Sequence, residues 1–207
     1  MDNFKGRHRV ILCWGKLLTA AALSTFLLAC ASGQVTNYYF KDRGGEGESS
    51  DVIVNDVRVV ARYLDDEGLK EVLHQQGFER LHTQIKNLPL NIFLLSVSNG
   101  SSSPLFLDPH QTRLMDGVSI NLAPIDFAEL YTMLPKGKGR QNVLKDLQRA
   151  SFNKSVKIEP GADVEKLLVF DKPEVMGKEV SLVVDDIYVE GEDVPVTLMF
   201  EARSYDK

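Results

Sequence analysis

The chain has 207 residues, of which 43% are hydrophobic, enough for one domain with a substantial core. Its 29 acidic residues outnumber its 24 basic ones, and the net charge is −5 at pH 7. An acidic protein surface disfavours binding to nucleic acid and to anionic lipid headgroups. The two cysteines, Cys13 and Cys30, are too few for a disulfide framework or a thiolate metal site.

The first 29 residues have the organisation of a secretory signal. Four basic residues precede an uncharged run over 17–29, namely Lys5, Arg7, Arg9 and Lys16. That run is shorter than the roughly 20 residues that a membrane-spanning helix needs, and its length suits the apolar part of a signal peptide. We therefore expect residues 1–29 to be removed.

The end of this run, Leu27-Leu28-Ala29-Cys30, resembles the bacterial lipobox. The resemblance implies cleavage between Ala29 and Cys30 and a lipid on the Cys30 thiol. Leu28 departs slightly from the pattern, in which a small residue is commoner. The alternative is an ordinary secretory signal with an incidental cysteine. Because Ala31 is not the aspartate of an inner-membrane retention signal, the resemblance implies an outer-membrane lipoprotein facing the periplasm.

Cleavage would leave a more acidic chain. The signal contains four of the 24 basic and one of the 29 acidic residues, so 20 and 28 remain, a net charge of −8. We expect the membrane attachment to come from the lipid anchor rather than from the protein surface.

Residues 30–50 are predicted to be a lipidated, flexible tether, since 42–50 are rich in Gly, Ser and Glu. Within them, Tyr38, Tyr39 and Phe40 predict an edge strand or a segment lying at the lipid surface. Residues 51–207 are predicted to form one domain. Alternating or continuous apolar runs predict its strands over 57–64, 88–97, 105–107, 118–122, 157–159, 165–170, 180–189 and 194–203.

Helical signals occur in three places. Asp65 or Asp66 can cap a helix over 67–76 that ends at Gly77. Pro124 suits the start of a helix over 125–134, and a third helix is expected over 140–150. Short strands with helices inserted between them predict a mainly β protein, an antiparallel β-sandwich with a helical insertion at about 124–151 and a short helix near 66–76.

The order of several motifs resembles bacterial immunoglobulin-like lipoprotein domains. An apolar strand leads into the turn 99–103 and Pro104-Leu105-Phe106-Leu107, and the motifs 158–161 and 168–173 and a final pair of strands follow. The resemblance covers about residues 51–203 and implies an immunoglobulin-like sandwich. Its motifs are structural, and the family's function is largely uncharacterised, so it implies no functional residues.

Residue types that carry chemistry lack the spacings of known sites. His74, His82 and His110 have no zinc-binding spacing, and Ser101–Ser103 lack the setting of a nucleophile. Asp185 and Asp186 would point to opposite faces of a strand. Gly137 and Gly139 flank lysines before a helix, as in some phosphate-binding loops. The spacing of the Walker phosphate-binding motif is missing, so a flexible loop is the better interpretation. We expect no metal, no cofactor and no enzymatic activity.

The insertion at 124–151 is the feature that favours an interaction. It is either a lid on the sandwich or a protrusion that binds a partner through Tyr131, Lys136, Lys138 and Arg140. The resulting hypothesis is a non-enzymatic, lipid-anchored periplasmic binding or assembly module with an envelope protein as partner. The alternative is a carrier of a small ligand or peptide with a pocket between the sandwich and the inserted helices.

Overall fold

The structure is a computed structural model, and it describes residues 34–43, 49–137 and 139–205. The predicted signal peptide, its cleavage site at Ala29 and Cys30, and Lys138 lie outside these residues. The strands are β1 (Gln34–Thr36), β2 (Tyr38–Asp42), β3 (Ser49–Val54), β4 (Val57–Tyr63), β5 (Leu90–Asn99), β6 (Leu105–Leu107), β7 (Arg113–Met115), β8 (Asn121–Leu122), β9 (Val156–Ile158), β10 (Asp163–Asp171), β11 (Val175–Gly177), β12 (Glu179–Val184), β13 (Ile187–Val189), β14 (Glu192–Asp193) and β15 (Val196–Ser204). The helices are α1 (Asp66–Gln75), α2 (Glu79–Ile85), α3 (Phe127–Met133) and α4 (Arg140–Ala150).

The chain is mainly β, and its named strands pair antiparallel, as predicted. One sheet has the order β10-β5-β4-β3 and a second the order β2-β15-β12-β7-β8. Their facing sides share one apolar core, in which the ring centroids of Phe93 and Phe200 lie 5.3 Å apart. Two smaller sheets, β14-β13-β6-β9 and β1-β11, complete this sandwich-like arrangement.

A second apolar core lies on the other face of the first sheet, where the helices cover it. In β5, Phe93 and Leu95 belong to the first core, whereas Ile92 and Leu94 belong to the second. Successive residues of a strand point to opposite faces, so a strand covered on both sides is apolar throughout. This arrangement explains why the predicted strand at 88–97 is apolar on both faces apart from Asn91 and Ser96.

The helical insertion also covers the outer edge of β10. At its start, the Ile125 N–H donates to the Val169 carbonyl (2.8 Å), and at its end the Phe152 N–H donates to the Leu167 carbonyl (3.0 Å). Without these bonds, β10 would present unpaired backbone groups along one side. The insertion is therefore built into the fold at both of its ends.

Four elements differ from the sequence predictions. The predicted tether contains β1 and also β2, which is the edge strand expected at Tyr38–Phe40, and the compact unit begins at Gln34 rather than at residue 51. Pro124 does not start a helix, because Ile125 is engaged with β10 and Asp126 caps α3 by accepting a hydrogen bond from the Glu129 N–H (2.7 Å). The run 180–189 divides into β12 and β13, and the run 118–122 keeps only β8.

The other predicted helices are confirmed. Asp65 is the N-cap of α1, since its carboxylate accepts a hydrogen bond from the Gly68 N–H (2.8 Å), and Gly77 follows the helix with φ +76°. The third predicted helix has the bounds of α4. Across the described residues, no helix is both long enough and apolar enough to cross a membrane.

Candidate functional site

A cleft of about 460 Å³ opens in the helical layer, between α2 and the segment that joins α3 to α4. We call it the basic cleft. It is lined by three cationic residues (Arg80, Lys136, Arg140), three neutral polar residues (Thr83, Gln84, Asn142), two glycines (Gly137, Gly139) and an apolar part (Leu134, Pro135, Val143). All of these residues come from helices or their connection, so the cleft lies within the helical layer.

The apolar spacing of α2 sets the direction of its cleft residues. Leu81 and Ile85 are four residues apart and bury one face of the helix in the second core. Arg80 and Gln84 have the same spacing, one residue earlier, and so lie side by side on a neighbouring face. Arg80 is exposed, which leaves its guanidinium accessible to a ligand in the cleft.

Arg140 is held in place by the helix before it. Its guanidinium lies 3.8 Å from the centre of the Tyr131 ring, and it also donates a hydrogen bond to the Tyr131 carbonyl. The Arg140 Nε is buried and has no hydrogen-bond partner among the described residues. Cation–π stacking and this hydrogen bond fix the side chain before any ligand arrives.

The first turn of α4 is electropositive. The N-cap residue, Gly139, has φ +92° and no side chain to cap the helix, and the first turn contains no acidic residue. By contrast, α1 and α3 begin at the capping residues Asp65 and Asp126. The partial positive charge of the α4 N-terminus therefore adds to the cationic side chains instead of being offset by a carboxylate.

The cleft cations differ from four other basic residues in their partners. Elsewhere, Arg43, Arg58, Lys157 and Arg203 each form a salt bridge with a carboxylate, at 2.6 to 2.8 Å. Among the described residues, no salt bridge joins an acidic side chain to any of the three cleft cations, Arg80, Lys136 and Arg140. Positive charge in the cleft is thus not neutralised by the protein's own surplus of acid.

Positive charge continues from the cleft along α4. A second groove of about 370 Å³ joins Arg80 and Asn142 to Lys145 and Arg149, and its lining also includes Asp146 and Gln148, so it has three cations and one carboxylate. The Arg149 guanidinium lies 5.5 Å from the Phe78 ring centre. The helical layer therefore presents a basic surface that is wider than the cleft itself.

Three of the four residues predicted to bind a partner come together here. Arg140 stacks on Tyr131, whose side chain is 38% exposed, and Lys136 lines the same cleft as Arg140. Sequence reasoning missed Arg80, because it did not recognise α2. Phe78 at the helix start makes no side-chain cap, so the usual start signal is missing. The four-residue spacing of Leu81 and Ile85, which is typical of one face of a helix, is the signal in the sequence that could have found α2.

The other predicted candidates lie in separate places. His74 Nδ1 is 3.1 Å from a Glu79 carboxylate oxygen, and His82 Nε2 is 2.9 Å from an Asp66 oxygen. No group of three or more potential metal ligands occurs in the part of the chain that the structure describes. Asp185 and Asp186 fall between β12 and β13 rather than on one strand.

A smaller pocket of about 190 Å³ lies where the β4 end meets α1, and it is lined in part by Tyr63, Lys172 and Tyr205. Burial is the largest cause that raises the pKa of Tyr63, and burial lowers the pKa of Lys172. Lys172 Nζ donates to the Tyr38 carbonyl (3.3 Å) and lies 5.9 Å from the ring centre of Tyr205, which lines the pocket. The protein's own lysine thus already uses the aromatic surface there, so this pocket is a weaker candidate.

Comparisons with known proteins do not add to this picture, since no protein-family model matches the chain and no curated protein matches it.

Proposed function

We propose that this chain is a non-enzymatic binding module of the bacterial envelope, anchored by a lipid at Cys30 and facing the periplasm from the outer membrane. In this proposal the sandwich is a scaffold, and the basic cleft with its surrounding helical surface recognises an acidic envelope protein. The lipobox resemblance of Leu27-Leu28-Ala29-Cys30 supports the anchor. The motif order between residues 51 and 203 supports an immunoglobulin-like family for the scaffold.

The observation that carries the proposal is the placement of charge. The whole chain has a net charge of −5, yet Arg80, Lys136 and Arg140 meet at one concave surface without a carboxylate partner among the described residues. Leaving like charges together has an electrostatic cost that a structural role does not require. A complementary acidic partner would offset that cost and would be attracted most effectively at low salt.

The test is recovery of crosslinked envelope partners from cells that express either the wild type or the double variant Arg80→Glu, Lys136→Glu. We expect the variant to lose at least one stoichiometric protein partner, since two reversed charges repel an acidic surface. Arg140 is left unchanged, because its contacts with Tyr131 make it part of the fold. Both substituted residues are exposed, so the melting temperature should stay nearly unchanged.

The matched control is Lys178→Glu, a charge reversal at an exposed lysine outside the cleft, between β11 and β12. It should retain every partner. Identical partner profiles for the wild type and the double variant, at equal expression, would contradict the proposed role of the cleft.

The second candidate is a carrier of a small ligand or peptide. Its support is the cleft volume of about 460 Å³, which lies within the usual range for small-molecule sites. The cleft is lined by the helices and not by the sandwich, so such a carrier would use a different pocket from the one predicted. Small molecules that co-purify with the wild type and not with the double variant would favour this candidate.

A further inference from the structure

We infer that the basic cleft is a specific site for an oxyanion, a phosphate or carboxylate group presented by the bound ligand or partner. This inference rests on the proposed function, because it names the chemical group that the cleft recognises. It differs from general attraction to an acidic surface, since a site has a fixed stoichiometry and depends on particular residues.

Three positive side chains provide the charge. Arg80 comes from α2, Lys136 from the α3–α4 connection and Arg140 from α4, so they approach the cleft from three segments of the chain. A guanidinium offers paired N–H donors in one plane and an ammonium offers a compact charge, and both suit phosphate or carboxylate oxygens. The cleft thus has the donors that an oxyanion needs, and these groups repel metal cations.

The backbone at the start of α4 is accessible from the cleft. A side-chain β-carbon placed on Gly137 or Gly139 would meet no atom within 4 Å, so a ligand can approach the main chain at both positions. The positive end of the helix dipole favours negative charge, although the Asn142 N–H already donates to the Gly139 carbonyl (2.9 Å), so the contribution comes from the dipole. This contribution strengthens a site that the cleft and its cations already define.

Neutral groups restrict what else the ligand contains. Thr83, Gln84 and Asn142 supply hydroxyl and amide groups beside the cations, and Leu134, Pro135 and Val143 supply apolar surface. Such a lining suits a ligand that has hydroxyl or amide groups and some apolar surface beside its oxyanion.

Arg140 lowers the cost of binding. Because its guanidinium is already stacked on Tyr131, less side-chain freedom is lost when an anion arrives. The buried Arg140 Nε, which has no partner in the described residues, marks a polar group at the cleft whose hydrogen bonding is incomplete.

The experiment is a calorimetric titration of the full chain, purified in a zwitterionic detergent at low salt, with inorganic phosphate and separately with succinate. We expect saturable binding of at least one probe at one site per chain. Phosphate binding alone identifies a phosphate-bearing ligand, and succinate binding alone identifies a carboxylate-bearing one. No saturable binding of either probe up to millimolar concentration would overturn the inference.

Variants test whether the binding belongs to the cleft. Arg80→Ala and Lys136→Ala should each weaken binding about tenfold, in the range expected for the loss of one charge-assisted hydrogen bond. Lys178→Ala should bind as the wild type does. Equal weakening in all three variants would show a non-specific charge effect and would overturn the inference. Thermal unfolding of each variant shows that the fold is retained.

The two proposals fail in different ways. If neither probe binds but Arg80→Glu, Lys136→Glu still loses its protein partner, the proposed function stands and the oxyanion site is wrong. If a probe binds through Arg80 and Lys136 while the partner profile stays unchanged, the site is right and the protein-partner proposal is wrong.

Discussion

Asp116 is 4% exposed, and its carboxylate joins two distant parts of the sandwich. One oxygen accepts hydrogen bonds from the N–H groups of Val118, Ser119 and Ile120, at 2.8 to 3.0 Å. The other accepts from the Gly177 N–H on β11, at 3.0 Å. A single side chain thus holds the β7–β8 turn closed and fastens it to the β1–β11 pair.

Replacement of Asp116 by Asn should be costly. The amide presents a donor where the carboxylate presents an acceptor, so at least one buried N–H group loses its partner. We expect a loss of roughly 1–3 kcal/mol in the free energy of unfolding. Urea unfolding at pH 7 measures it, with Asp185→Asn, at an exposed loop position, as a control that changes by less than about 0.5 kcal/mol.

Asp116→Asn should also change how the free energy of unfolding depends on pH. Burial alone would raise the pKa of Asp116, but the four backbone hydrogen bonds hold it below the ordinary value of 3.8. Stability from a lowered pKa is present above the unfolded-state value and disappears as the pH falls through the folded-state value. The wild type should therefore lose its advantage over Asp116→Asn below about pH 4. A constant difference down to pH 2 would contradict this account.

At the scale of elements, the alternation of apolar and polar residues in β15 identifies the face of the strand that is buried. Leu198, Phe200 and Ala202 are buried in the first core, whereas Thr197 is exposed, as the sequence predicts. Phe200→Ala should lower the free energy of unfolding by about 3–5 kcal/mol, because it removes a buried aromatic ring. Thr197→Ala should change it by less than about 0.5 kcal/mol. Equal denaturant midpoints for the two variants would show that this strand is misassigned.

Elements with a local signal were predicted, and those set by distant contacts were not. The alternation of apolar and polar residues in β15 is a local signal, and so are the capping aspartate and the glycine at the two ends of α1. The division of 180–189 depends on partners, because Val180 and Leu182 pair with β15 whereas Ile187 and Val189 pair with β6. The edge strand predicted at Tyr38–Phe40 is present as β2, but its partner β15 lies more than 150 positions along the chain and could not be read from the sequence.

The candidate site followed the same division. The basic residues at 136–140 contrast in charge with an acidic chain and could be found in the sequence, but the cleft also needs Arg80 from α2, which only the tertiary structure brings near. Arg140 was predicted to bind a partner, and its stacking on Tyr131 also gives it a structural role. Charge content was thus readable locally, whereas concavity and side-chain contacts were not.

For the molecule as a whole, the helical layer contributes to the core and also forms the cleft that we propose for recognition. Leu130 and Leu147 of the insertion are buried in the second core, so the lid interpretation explains its inner face. Its outer side carries the basic cleft, the surface that we propose for a partner. The two sides are continuous, because Leu134 and Val143 belong to the second core and also line the cleft.

The proposed anchor gives the last prediction, which concerns the processing of the whole chain. Cys30→Ala should leave an uncleaved precursor without lipid, because the thiol is the acceptor in the lipobox pattern. Cys13→Ala should change nothing, since Cys13 follows the bulky Leu12 and lies in the part that is removed. Mass spectrometry of protein from membranes should find acylated Cys30 as the first residue, and the mature form should lack tryptophan emission, because Trp14 is the only tryptophan. Any other N-terminus would contradict the lipid anchor. The recognition proposal does not depend on this result, because binding of a partner at the cleft is tested separately.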